Sequence, residues 1–196
     1  MRLKTALLAI FLLSLADLVL YGCYCDCDFA PTGTFEICSI DLLSIDNAGG
    51  SPATASDTVL ADAYAIEITL NITQEDICSH SFLMNSAFAA SCNCPDAFFE
   101  NRNPVTEVHI YTVNDFSTTY DAGDEVTSLF YRYLGHEYEP INSFLRPQNA
   151  ASVTPIKVRA LLMEAPAIKG NHSFEVELIM QDSTVVSATT SSIYLK

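Results

Sequence analysis

Residues 174–180 read Phe174-Glu175-Val176-Glu177-Leu178-Ile179-Met180, and this stretch decides the fold. Phe174, Val176, Leu178 and Met180 occupy every second position with Glu175 and Glu177 opposed, the period of a strand with one buried and one wet face. The run turns at Gln181-Asp182-Ser183-Thr184 and returns through Val185 to Leu195, which predicts a terminal hairpin.

Working outward, the same period appears in Val59–Thr73, where Ile66, Ile68, Leu70 and Ile72 alternate with Ala65, Glu67, Thr69 and Asn71. It returns at Thr106, Val108, Ile110 and Thr112 and again over Lys157–Met163, while Phe35–Ile45 is rich in β-branched and apolar residues. Asn47-Ala48-Gly49-Gly50-Ser51-Pro52 and Glu139–Pro155 read as loops, and Thr73–Cys94 fits neither period. One segment breaks the pattern. Val126, Leu129, Phe130, Tyr133 and Leu134 fall at helical spacing, with Asp124 placed as N-cap, Glu125 in the first turn and Gly135 just beyond the end. The expectation is a mainly β chain, a two-sheet antiparallel β-sandwich with one short inserted helix.

The first residues carry a different message. Arg2 and Lys4 precede an apolar run from Thr5 to Leu20, interrupted by Asp17, which is the layout of a secretory signal and too short to span a bilayer. Leu20-Tyr21-Gly22-Cys23 resembles the lipobox of bacterial lipoproteins, in which the cysteine becomes the lipidated, palmitate-bearing first residue. The expected organisation is a lipoprotein signal peptide at 1–22, a lipidated tether at 23–34 and a single domain at 35–196. The expected location is the bacterial cell envelope, lipid-anchored in the outer membrane.

Seven cysteines are an odd number for an exported chain. Lipidation of Cys23 leaves Cys25, Cys27, Cys38, Cys78, Cys92 and Cys94 as possible disulfide partners in an oxidising compartment. Cys25 and Cys27, like Cys92 and Cys94, stand two apart; on an extended strand that spacing separates thiols by about 6.5 Å, so bridges between the pairs are favoured over bridges within them. A net charge of −15 repels nucleic acid, and the predicted membrane contact is through the lipid.

No G-x-S-x-G, H-E-x-x-H or P-loop stretch is present, so no catalytic residue and no cofactor are assigned. His136-Glu137 comes nearest to a zinc fragment, but Pro140 stands where the second histidine belongs, and His136 reads as a surface loop residue. His109 lies mid-strand, opposed to Val108 and Ile110, as a solvent-facing or cross-strand residue. Asp121, Asp124 and Glu125, with Asp115 nearby, form an acidic turn around Gly123 whose oxygens suit calcium; the pattern is not an EF-hand, and Asp124 and Glu125 are fully explained as helix N-terminal residues. Tyr111, Phe116, Tyr120, Phe130, Tyr131, Tyr133 and Tyr138 crowd one third of the chain, mostly as core, although an exposed aromatic surface suits ligand contact. The sequons at Asn71 and Asn171 occur at a frequency that chance produces in a chain this rich in serine and threonine.

Three stretches carry a family resemblance: Cys23-Tyr24-Cys25-Asp26-Cys27-Asp28; the block from Pro104 through Val108-His109-Ile110-Tyr111, Asn114-Asp115-Phe116, Ala122-Gly123 and Leu129-Phe130; and the closing Phe174–Leu195. Together they resemble a family of Bacteroidetes-type lipoproteins catalogued as a domain of unknown function. The resemblance implies a surface or periplasm-facing β domain and brings no catalytic residues. The function expected is non-catalytic binding or scaffolding at the envelope, with a protein or glycan ligand. The alternatives are a fimbrial or adhesin-like subunit donating the Val185–Leu195 strand, and a hydrolase working through paired carboxylates.

Overall fold

The longest strand, β1 (Thr32–Asp46), shows how alternation becomes architecture. Phe35 and Ile37 point inward, and so does Ile40, which strict alternation would turn outward. A bulge between Ile37 and Ser39 restores the register, leaving Cys38 as the extra residue with its thiol on the exposed side. The computed structural model describes residues 32–49, 51–75, 98–145 and 155–196. The further strands are β2 (Ala53–Thr54), β3 (Thr58–Val59), β4 (Tyr64–Glu75), β5 (Phe98–Asn101), β6 (Val105–Thr112), β7 (Phe130–Tyr133), β8 (Tyr138–Pro140), β9 (Ile156–Leu162), β10 (Gly170–His172), β11 (Phe174–Met180), β12 (Val185–Thr189) and β13 (Ile193–Leu195).

They form three sheets. The large one runs β2-β1-β4-β9-β7-β8, with β5 added in parallel on β1; the second is β12-β11-β6; the third is β10-β13-β3. Most pairs are antiparallel, and β4 is a central strand paired along its length with β1 and over Ala65–Leu70 with β9. Ile66, Ile68 and Leu70 of β4 and Val158, Ala160 and Leu162 of β9 face the core together with Val108 and Ile110 of β6 and Val176 and Leu178 of β11. Phe174 joins the layers, its ring centroid 5.6 Å from Tyr64, 5.3 Å from Phe130 and 6.3 Å from Phe116. The chain is mainly β, as its alternation predicts, and the two inner faces closing on one core are compatible with a sandwich.

Four expectations are corrected. No α-helix follows Asp124: Thr127–Leu129 is a single 3-10 turn, and Phe130 then enters β7. The residues spaced for a helix do reach the core at Val126, Leu129 and Phe130, but the run Phe130-Tyr131-Arg132-Tyr133 favours a strand, and β9 and β8 offer it partners. Residues 123–127 instead lie along β6 and satisfy its free edge, with Val126 N donating to Ile110 O at 2.7 Å and Ile110 N to Thr127 Oγ1 at 2.8 Å. Gly135, at φ +89°, turns the β7–β8 hairpin rather than ending a helix.

The other three corrections are smaller. Val59–Thr73 is not one strand, because a 3-10 turn at Ala61–Ala63 separates β3 from β4. Glu139–Pro155 is not all loop: it opens with the end of β8 and a 3-10 turn at Ile141–Leu145, and 146–154 lie outside the described residues. Val185–Leu195 is two strands in two sheets, β12 beside β11 and β13 between β10 and β3, with Ile193 and Leu195 buried. The β11–β12 hairpin, turning through Gln181–Thr184, forms as predicted. The signal, the tether and Cys23, Cys25, Cys27, Cys78, Cys92 and Cys94 lie outside the described residues. No helix among the described residues is long and apolar enough to cross a membrane.

Candidate functional site

A groove of about 750 Å³ runs along β9 on the large sheet. Strand alternation sets its floor. Lys157, Arg159 and Leu161 point outward between the buried Val158, Ala160 and Leu162. Tyr131 pairs with Leu161, and continuing that antiparallel register brings Tyr133 level with Arg159; Tyr138 pairs with Tyr133 from β8. The two tyrosine rings sit 5.1 Å apart at 41°, and each residue is more than half exposed, Tyr133 at 54% and Tyr138 at 55%. Leu134 and Met163 add exposed apolar surface beside them.

Opposite the tyrosines, Glu67 of β4 holds both cations, Lys157 Nζ at 2.7 Å on one carboxylate oxygen and Arg159 Nη2 at 3.0 Å on the other. The hydrogen bond from Lys157, then that from Arg159, lower the Glu67 pKa below its ordinary value. Two positive charges therefore share one carboxylate in a chain whose net charge is −15. Arg132 of β7 also lines the groove, and Glu139 Oε2 at 2.9 Å and Ser143 O at 3.4 Å accept from it.

A second constellation occupies the outer face of the β12-β11-β6 sheet. His109 lies across from Glu177, stacks on Tyr111, and places Nδ1 2.9 Å from Glu125 Oε1 and Nε2 3.1 Å from Glu107 Oε2. A carboxylate stands as acceptor at each ring nitrogen, an arrangement that favours the protonated ring, which donates to both. Its pKa is raised, chiefly by the Glu125 hydrogen bond and less by Glu107, against the opposing effect of partial burial. Glu125 is lowered in return, first by His109 and then by Thr127, whose hydroxyl donates to it at 2.7 Å. The Tyr111 pKa is raised by partial burial and by the charges of Glu177, Glu125 and Glu175. The two carboxylates that His109 engages sit at different ring nitrogens and do not converge with one nitrogen on a point. Among the described residues no group of three or more histidine, cysteine or carboxylate side chains is arranged to hold a metal ion.

The acidic turn proposed for calcium is divided. Asp124 Oδ2 accepts from Asp121 N at 2.8 Å and Asp115 Oδ1 from Ala122 N at 3.0 Å, so these carboxylates close the turn around Gly123. Glu125 is drawn away to His109. His136 is an exposed loop residue, 3.3 Å from its neighbour Glu137. Cys38 is exposed on the β1 bulge with its thiol 2.9 Å from Thr73 Oγ1. Of the aromatic crowd, Phe116 and Phe130 are core and Tyr133 and Tyr138 are surface. Sequence reading missed the Glu67 cluster because its partners lie about ninety residues apart; the outward positions of Lys157 and Arg159 in an alternating strand were the available signal.

No curated protein and no solved structure matches this chain. The sequence model of one family, described as a domain of unknown function (DUF5034), matches residues 37–191, from β1 nearly to β13. The match spans most of the chain, contains both the groove and the His109 cluster, and places the protein in that domain-of-unknown-function family.

Proposed function

We propose that this chain is a lipid-anchored envelope protein that binds a protein or glycan ligand without transforming it, and that the groove along β9 is its binding surface. The observation that carries the reading is the exposed Tyr133–Tyr138 pair next to Lys157 and Arg159. Tyrosine offers broad apolar area with a polar tip and few torsions to freeze, and its pairing with guanidinium is enriched where proteins meet partners. Lys157, Arg159, Tyr133 and Tyr138 all stand on strands, so these groove side chains are held in position before a ligand arrives. The anchor rests on Leu20-Tyr21-Gly22-Cys23 and the apolar run before it.

Two measurements test this. Intact-mass analysis of the membrane fraction finds a chain beginning at acylated Cys23, and recovery of unmodified Cys23 on a soluble protein contradicts the anchor. The chain has no tryptophan and nine tyrosines, so the difference in tyrosine emission between the wild type and Tyr133→Ala/Tyr138→Ala reports on the groove. Titration with solubilised envelope polysaccharide and peptide extracts changes that emission in the wild type and leaves Tyr133→Ala/Tyr138→Ala unchanged. Equal responses in both proteins place the ligand elsewhere.

A further inference from the structure

We propose that the groove selects a short saccharide bearing a carboxylate, with a pyranose ring on the Tyr133–Tyr138 pair and its acid group on Lys157 and Arg159. The inference rests on the binding reading above and adds the chemistry of the ligand. Arg159 pairs with Glu67 across β4 and β9, Tyr133 pairs with Tyr138 across β7 and β8, and Tyr133, Tyr138, Lys157 and Arg159 all line the one groove, so the aromatic pair and the cations share it. The two exposed rings, 5.1 Å apart and inclined at 41°, form an aromatic wall, and the C–H face of a sugar packs on the exposed ring surface while its hydroxyls remain wet.

Charge sets the selectivity. Lys157 and Arg159 share the single carboxylate of Glu67, which leaves one positive charge in surplus, and Lys157 is 60% exposed at its side chain. Asp62 also lines the groove, in the 3-10 turn that precedes β4; because Ala65 pairs with Leu161, that turn lies toward the Met163 end of β9, away from Lys157. One end of the groove thus attracts an anion and the other does not. The surrounding net charge of −15 opposes polyanions, so the acid that fits is a single uronate among neutral residues.

The test is calorimetric titration of the full chain in detergent with three probes: aldotriouronic acid, neutral xylotriose, and the acidic tripeptide glycyl-glutamyl-glycine. The acid saccharide binds most tightly. Lys157→Gln weakens it roughly tenfold, the loss of one charge-assisted hydrogen bond, without changing xylotriose binding. Tyr138→Ala weakens both saccharides. Xylotriose binding as tightly as the acid overturns the charge selectivity and leaves the groove a binding site. Tripeptide binding that is lost in Tyr138→Ala, with both saccharides inert, overturns the saccharide and makes the groove a peptide site. If no probe binds, the inference fails, while the binding reading fails only if the wild type and Tyr133→Ala/Tyr138→Ala also respond equally to the extracts.

Discussion

The outer faces of the large sheet and of the β12-β11-β6 sheet arise from the same alternation, yet they present opposite chemistry. On the first, Lys157 and Arg159 flank Glu67 beside two exposed tyrosines, so cations outnumber their acid and apolar surface is left open. On the second, Glu107, Glu125, Glu175 and Glu177 surround a single His109, and acids outnumber their cation. The difference teaches that a strongly acidic net charge is not spread evenly. Around Glu67 the cations are in excess, beside the exposed tyrosines of the groove.

Both faces depend on the layer that joins them, and the largest expected effect lies there. Phe174 is fully buried between Tyr64, Phe116 and Phe130, so Phe174→Ala costs about 3–5 kcal/mol. Urea unfolding measures it; a loss below about 1 kcal/mol shows that the two sheets do not share this core.

Next comes the cationic face. Removing Glu67 leaves two neighbouring cations without their acceptor, and Glu67→Gln destabilises by about 1–2 kcal/mol. The pH dependence follows from its lowered pKa: the contribution is complete above the ordinary carboxylate value of 4.5 and is lost as pH falls through the lower folded value. The stability gap between wild type and Glu67→Gln therefore narrows as pH falls through that window, where the Glu67→Gln curve is the flatter of the two.

The acidic face titrates the other way. His109 is raised above its ordinary value of 6.5, so its contribution is fully present below that pH and disappears as pH rises through the folded value. His109→Gln removes this slope at a cost on the order of 0.5–1 kcal/mol at pH 6, the range of surface ion pairs. Identical pH profiles for wild type and variant between pH 6 and 8 contradict the double ion pair. The smallest effect belongs to the turn: Asp124→Ala loses one exposed hydrogen bond and costs about 0.5 kcal/mol, by thermal melting.

The strands were legible wherever a single residue in two faces the core, as at Phe174–Met180 and Ile66–Ile72, because sheet burial leaves a period of two in the chain itself. The Asp124–Leu134 segment misled for a physical reason. Val126, Leu129 and Phe130 are buried at helix-like spacing, but a 3-10 turn followed by a strand produces the same spacing, and what decides between them is hydrogen bonding to β6, distant in sequence. The bulge at Cys38 was invisible for the same cause, since it depends on the partner strand. The site was less legible than the fold. The tyrosine crowd was visible, and His109 was placed as a surface or cross-strand residue, yet neither Glu67 with Lys157 and Arg159 nor His109 with Glu125 is encoded by local spacing.

The comparison of the two faces is tested most directly by hydrogen–deuterium exchange of the full chain with and without saturating aldotriouronic acid. The account predicts added protection confined to β7, β8 and β9, with β6 and β11 unchanged. Protection appearing around His109 on β6, or none on any strand, contradicts it.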